Sequence, residues 1–176
     1  INRNIIDVED NGLDDSYGIL AEGADIAIFD NTMPYVGRTD GKTINNAVNL
    51  KDCIEPLVQD NIMDIIIPSC YVDWKEVPPA SGYWVSTIIS EGIVIDSSDL
   101  YLLDNNIDVN YDGVVGEYDT IYAVDIKSNN SLIKSNTINA KGHSYIYGLL
   151  VSGDNFTVEN NESLDRKSGS AGMPRP

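Results

Sequence analysis

An asparagine recurs along this chain in phase with four columns of apolar residues, and no other feature restricts the fold as strongly. The asparagines are Asn4, Asn31, Asn61, Asn105, Asn136 and Asn161, spaced 27, 30, 44, 31 and 25 residues apart. Spacings of that size mark solenoids and arrays. Ahead of the asparagine, Ile19, Val48, Ile93, Val124 and Leu149 form one column. Ala21, Leu50, Ile95, Ile126 and Val151 form a second, and Ile28, Val58, Leu102, Ile133 and Val158 a third. Just after it come Ile6, Met33, Met63, Ile107 and Ile138. Within each run the apolar sites lie two residues apart, which is the period of a strand and not of a helix.

Copies of such a unit bury their apolar columns only by stacking as successive turns of one coil, each turn hydrogen-bonded to the next as parallel strands ~4.8 Å apart. Asparagine suits the tight corner of such a turn because it tolerates left-handed backbone, and stacked amides can bond from turn to turn. Asparagine is common in turns generally, but that does not account for six of them in phase with four apolar columns.

The pattern resembles right-handed parallel β-helices with pectate-lyase-like or NosD-like repeats. The run Asn129-Asn130-Ser131-Leu132-Ile133-Lys134-Ser135-Asn136-Thr137-Ile138 is similar to runs in adhesin-like surface proteins of methanogenic archaea. The resemblance covers residues 1–161 and implies an all-β, single-stranded right-handed parallel β-helix of about five to six turns. It also implies an extracellular, cell-surface location. It does not specify an activity, because one coil carries lyases, hydrolases and adhesins. The expected boundaries are a β-helix over 1–163 with an insertion at 67–90, then an irregular tail over 164–176. A first residue that already lies inside a repeat suggests part of a longer chain.

Composition narrows the partners. Eleven Lys plus Arg against 28 Asp plus Glu give a net charge of −17. That excludes the basic footprint nucleic acid requires, and it repels anionic membranes and polysaccharides unless cations intervene. No segment approaches the ~18–20 apolar residues of a membrane span. Cys53 and Cys70 are too few for a disulfide framework; they either pair or stay as buried thiols. Asn129-Asn130-Ser131 and Asn155-Phe156-Thr157 match the glycosylation sequon at polar turns, which permits an extracellular location.

Four places invite chemistry. The long spacing before Asn105 holds Tyr71, Trp74, Tyr83 and Trp84 beside Pro68, Pro78 and Pro79. These rings either stack on sugars or anchor a protein partner, or they fold down over an apolar patch on the coil. Second, Gly18, Ala47, Gly92, Ala123 and Gly148 precede the first core column and are expected either to leave an outward lane or to serve a bend. Beyond them, Lys51, Asp96, Asp125 and Lys127 fall on one outward face, mixing charge with apolar groups as an extended glycan or peptide groove would. Third, Asp108, Asn110, Asp112 and Gly113, with Asp119 at the twelfth position, follow the spacing of a calcium loop, so Ca²⁺ is the one cofactor the pattern points to. Fourth, Asp30, Asp60 and Asp104 stack just before the ladder asparagine, which requires either a bound cation or side chains that fan into water.

Catalytic constellations are weak, the nearest match being Lys51 and Lys127 flanking Asp96 and Asp125. His143 is the single histidine and has no visible partner, and neither a phosphate loop nor a nucleophile elbow is present. The sequence thus points to a non-catalytic surface module that binds glycan or a cell-surface protein. The alternative is a polysaccharide lyase or glycoside hydrolase that uses the outward face with Ca²⁺.

Overall fold

Alternating aliphatic residues separated by Asp, Asn and Ser produce short extended strands joined by corners, and the described residues contain little else. A computed structural model describes residues 1–9, 16–23, 25–36, 45–68, 89–112, 120–142 and 145–167. After β1 (Val8–Glu9), the strands come in sets of three. The first set is β2 (Ser16–Glu22), β3 (Ala27–Phe29) and β4 (Thr32–Val36), and the second β5 (Asn45–Ile54), β6 (Leu57–Gln59) and β7 (Ile62–Pro68). Next come β8 (Ile89–Ser98), β9 (Tyr101–Leu103) and β10 (Asn106–Asp112), then β11 (Thr120–Asn129), β12 (Leu132–Lys134) and β13 (Thr137–Gly142). The last set is β14 (Tyr145–Ser152), β15 (Thr157–Glu159) and β16 (Glu162–Lys167).

Each set lies on the one before it. The first sheet runs β14-β11-β8-β5-β2, the second β15-β12-β9-β6-β3, and the third β1-β4-β7-β10-β13-β16. Every strand pairing is parallel. The described chain is therefore an all-β parallel solenoid.

Register confirms the columns. Ile19, Val48, Ile93, Val124 and Leu149 are successive partners in the first sheet, as are Ile28, Val58, Leu102, Ile133 and Val158 in the second. Met33, Met63, Ile107 and Ile138 stack in the third. A fifth core column, Val8, Tyr35, Ile65, Val109 and Ala140, lies two residues further along the third sheet.

Between the second and third sheets, two residues turn the corner. The first adopts left-handed backbone in every set: Arg3, Asp30, Asp60, Asp104, Ser135 and Asn160 have φ between 53° and 57°. The strained residue is thus the one before the ladder asparagine, not the asparagine itself. Asp and Asn dominate there because their short polar side chains tolerate that region. Asp30, Asp60 and Asp104 accordingly stand exposed, with Arg3 Nε 3.4 Å from Asp30.

The asparagine that follows turns inward. Asn61 donates from both its backbone N–H (3.1 Å) and Nδ2 (2.9 Å) to Asn105 Oδ1, and Asn105 does the same to Asn136 Oδ1 at 3.0 and 2.9 Å. The same link joins Asn4 to Asn31, Asn31 to Asn61, and Asn136 to Asn161. The two Nδ2 hydrogens of Asn105 also face the carbonyls of Leu103 and Val58, both at 2.9 Å. Buried amides are tolerated because each is saturated this way.

Three expected boundaries move. β7 reaches Pro68 and β8 begins at Ile89, so residues at both ends of the expected 67–90 insertion belong to the coil. Proline is acceptable at Pro68 because β4 pairs with β7 only as far as Ile66, which leaves Pro68 at an edge on that side. β16 pairs with β13 as far as Lys167, so the coil extends past residue 163 into the stretch expected to be irregular.

Asn105→Ala strips an acceptor from Asn61 and donors from two buried carbonyls, and is expected to cost about 3 kcal/mol. Asn4→Ala, at the exposed end, should cost under about 1 kcal/mol; chemical denaturation of both variants checks the contrast. Lys134 Nζ lies 2.8 Å from Glu159 on adjacent turns. The hydrogen bond to Glu159, then its charge and that of Asp104, hold the ammonium above its ordinary 10.5. A raised lysine contributes stability below the unfolded value and loses it as pH climbs through the folded one. The stability gap between the parent protein and Lys134→Met should therefore be present at neutral pH and close in strong alkali.

Candidate functional site

The outward face of the first sheet gathers the predicted residues of the strand face. Glu22, Lys51, Asp96, Lys127 and Ser152 form one column, and Leu20, Asn49, Val94, Asp125 and Leu150 the neighbouring one. Lys51 and Lys127 thus flank Asp96 from the turns on either side, and Asp125 lies diagonally from Asp96 at ~8 Å between Cα atoms. Lys51 Nζ also reaches Glu22 at 3.4 Å. Alternating signs along this column remove the repulsion that stacked like charges would cause.

The column of small residues does not form an outward lane. Ala47, Gly92, Ala123 and Gly148 are buried. A Cβ on Gly92 would sit 2.9 Å from the Ala123 carbonyl and 3.0 Å from Val109 Cγ2. The chain bends inward here: Asn46, Ala47 and Val48 are buried consecutively, which breaks strict alternation. Glycine and alanine are present because the backbone turns a corner against the third sheet.

That bend sets Asn46 beside Asn49 of the neighbouring outward column. Asn49 Nδ2 donates to Asn46 Oδ1 at 2.9 Å. In the equivalent position Tyr122 stacks on Tyr147, centroids 5.3 Å apart with 21° between planes. The tyrosine pair escaped the sequence reading, although both residues open a repeat unit at the same register. Asp125 takes the place of Asn49, between Val94 and Leu150. Its Oδ1 is closed off from solvent and has no hydrogen-bond partner, so it cannot reach a bound substrate without moving.

At the other edge of this face the regular register breaks. Lys51 pairs with Asp96 but Cys53 with Ser97, leaving Asp52 as a bulge at φ 52°. The bulge opens a depression of about 270 Å³ lined by Asp52, Cys53, Ile54, Asp96, Ser97 and Ser98. Bulges often re-aim side chains next to functional surfaces. Cys53 lies at the depression as a buried free thiol.

The calcium pattern has a different geometry from a closed loop. Asp108, Asn110 and Asp112 all belong to β10, an extended strand. Four residues of strand separate Asp108 from Asp112 by ~13 Å, too far for one ion held at ~2.3–2.6 Å from each oxygen. Asp108 Oδ2 instead lies 3.5 Å from Lys141 Nζ. Alternate polar residues are what an outward strand face displays, and that face shares its two-residue spacing with a calcium loop. Among the described residues no three His, Cys, Asp or Glu groups converge to hold a metal, and no helix is long and apolar enough to cross a membrane. Tyr71, Trp74, Tyr83, Trp84, Asp119, His143 and Cys70 lie outside the described residues.

No known protein family, curated protein or solved structure matches this chain.

Asp125→Leu removes the orphaned acceptor and matches the aliphatic neighbours above and below. It is expected to stabilise the protein by about 1 kcal/mol. A lower thermal midpoint in differential scanning calorimetry would show that Asp125 has a stabilising partner.

Proposed function

We propose that this chain is an extracellular, non-catalytic, adhesin-like surface module, of the kind its repeats resemble in methanogenic archaea, that binds glycan or a protein partner. The first-sheet face carries this reading: a rigid, continuous strip with alternating Lys51, Asp96 and Lys127, the exposed Leu20 and Leu150, and no reactive constellation among the described residues. A stiff coil holds such a strip flat over several turns, as an elongated ligand requires. Parallel crossovers are right-handed in almost all proteins, which supports a right-handed helix of about five to six turns. The net charge of −17 favours neutral or cationic partners.

The alternative, a polysaccharide lyase or glycoside hydrolase using Ca²⁺, draws on Asp96 and Asp125 sharing that face with two lysines. Glycan-array binding and turnover assays on pectin, alginate and β-glucans with added Ca²⁺ separate the two. The expected result is binding that falls about tenfold in Lys51→Ala plus Lys127→Ala, without product from any polysaccharide. Turnover that disappears in Asp96→Ala would establish the enzyme instead.

A further inference from the structure

The outer face of the second sheet is apolar where strands facing water normally carry polar side chains. Its strands are three residues long, so each sends its middle residue into the core and the other two outward. In β6, β9 and β12 the outward residues include Leu57, Tyr101, Leu103 and Leu132. Leu57, Tyr101 and Leu132 are direct partners on successive turns, and Leu103 lies two residues beyond Tyr101. Tyr101 is 44% exposed, and the three leucines are half-buried. These three strands each have a paired strand on both sides, so the exposure does not come from an end of the coil. Phe29 continues the strip diagonally on β3.

Carboxylates border the strip on both sides. Glu55 and Asp99 precede β6 and β9, and Asp60 and Asp104 follow them, all at left-handed corners. The Glu55 N–H donates to the Ser98 carbonyl and the Asp60 N–H to that of Leu103, which stacks the corners one turn apart along the coil. Glu55, Asp60 and Asp104 are exposed and Asp99 is half-buried. None of the four forms a salt bridge among the described residues. The nearby cations are engaged elsewhere, Arg3 with Asp30 at 3.4 Å and Lys134 with Glu159 at 2.8 Å. One turn on, the equivalent corners are the neutral Asn130 and Ser135.

We infer that this strip and its acidic borders form a docking surface for a basic amphipathic helix of a partner protein. Apolar surface left in water and like charges stacked one turn apart are both unfavourable, and one such partner relieves both. Glu55 and Asp60, like Asp99 and Asp104, are five residues apart. The two borders are therefore at most ~16 Å apart. They run parallel along the coil, so they fit an occupant of constant width, and an α-helix with its side chains is ~10–12 Å across. Its apolar stripe covers Leu57, Tyr101 and Leu132, and lysines or arginines flanking that stripe reach the carboxylates on either side. A second copy of this chain fits poorly, because it brings the same acidic borders and a net charge of −17 against them. The surface belongs to a different sheet from Lys51, Asp96 and Lys127, so the inference stands apart from the proposed function.

Fluorescence anisotropy with a labelled synthetic Leu/Lys peptide of about 14 residues, its leucines on one helical face, tests it. The full chain should bind the peptide at about 0.02 M salt and at least about tenfold more weakly at about 0.5 M. A scrambled peptide of the same composition, with no apolar face, should bind at least about tenfold more weakly. Leu57→Ser plus Tyr101→Ser removes the strip, and Glu55→Gln, Asp60→Asn and Asp104→Asn together remove the borders; each set should weaken binding at least about tenfold. Asparagine tolerates the left-handed backbone at Asp60 and Asp104, so the strand circular-dichroism signal should persist in the border set even if the strip set fails to fold. Asp7→Asn, Asp64→Asn and Glu162→Gln together neutralise as many exposed carboxylates away from the strip and should change affinity less than about twofold. A parent chain that does not bind, a scrambled peptide that binds equally, or a control set that loses as much as the border set overturns the inference. So does a parent chain that sediments as a dimer through Tyr101, which makes a second copy the occupant, or a neutral β-glucan oligosaccharide that displaces the peptide.

Discussion

The amide column from Asn4 to Asn161 is the interaction on which the rest of the coil depends. A two-residue corner must place a polar group inside, since the backbone N–H and carbonyls there point along the axis and cannot reach water. The asparagine side chain supplies both an acceptor for the N–H of the preceding turn and donors for carbonyls on two turns. No other neutral side chain of that length offers both. Because each link completes its neighbour's hydrogen bonding, the column sets the phase of all three sheets at once. The apolar columns then fall into register as a consequence.

This logic explains which parts were legible in the residues alone. The columns through Ile93, Ile95, Leu102 and Ile107 repeat one residue class at fixed offsets from an asparagine, so alternation reveals them. The column of Val8, Tyr35, Ile65, Val109 and Ala140 was missed because its members differ in size; the large Tyr35 and the small Ala140 fill different cross-sections of the same interior. Of the two readings the sequence left open for the small-residue column, the structure shows the bend and not the outward lane; a period of two does not choose between them, because it assumes a straight strand. Three consecutive buried residues at Asn46–Val48 mark a bend that periodicity cannot register.

The face itself was only partly readable. Charge alternation through Lys51, Asp96 and Lys127 follows directly from aligning repeats, and the structure keeps it. The stacked Tyr122 and Tyr147 and the enclosed oxygen of Asp125 depend on how a corner tilts adjacent columns together, which no spacing rule encodes. Likewise, the oxygen-rich run from Asp108 looked like a loop because one spacing serves both a cation cage and the wet side of a strand. Only the backbone distinguishes them.

The unequal repeat spacings have a further consequence. Two of the three corners keep nearly constant length, while the connections of varied length, residues 10–15, 37–44, 69–88, 113–119 and 143–144, all fall between a third-sheet strand and the next first-sheet strand. Strands on both sides of the longest one, β7 and β8, still pair in parallel with their neighbours, with a single bulge at Asp52 in the β5–β8 pairing. Closing a longer excursion at fixed endpoints raises its entropic cost only logarithmically, about 0.6 kcal/mol per doubling. That corner therefore works as an open port along one seam of the molecule. Evolution or an engineer can exchange whole segments there and leave the hydrogen-bonded spine undisturbed.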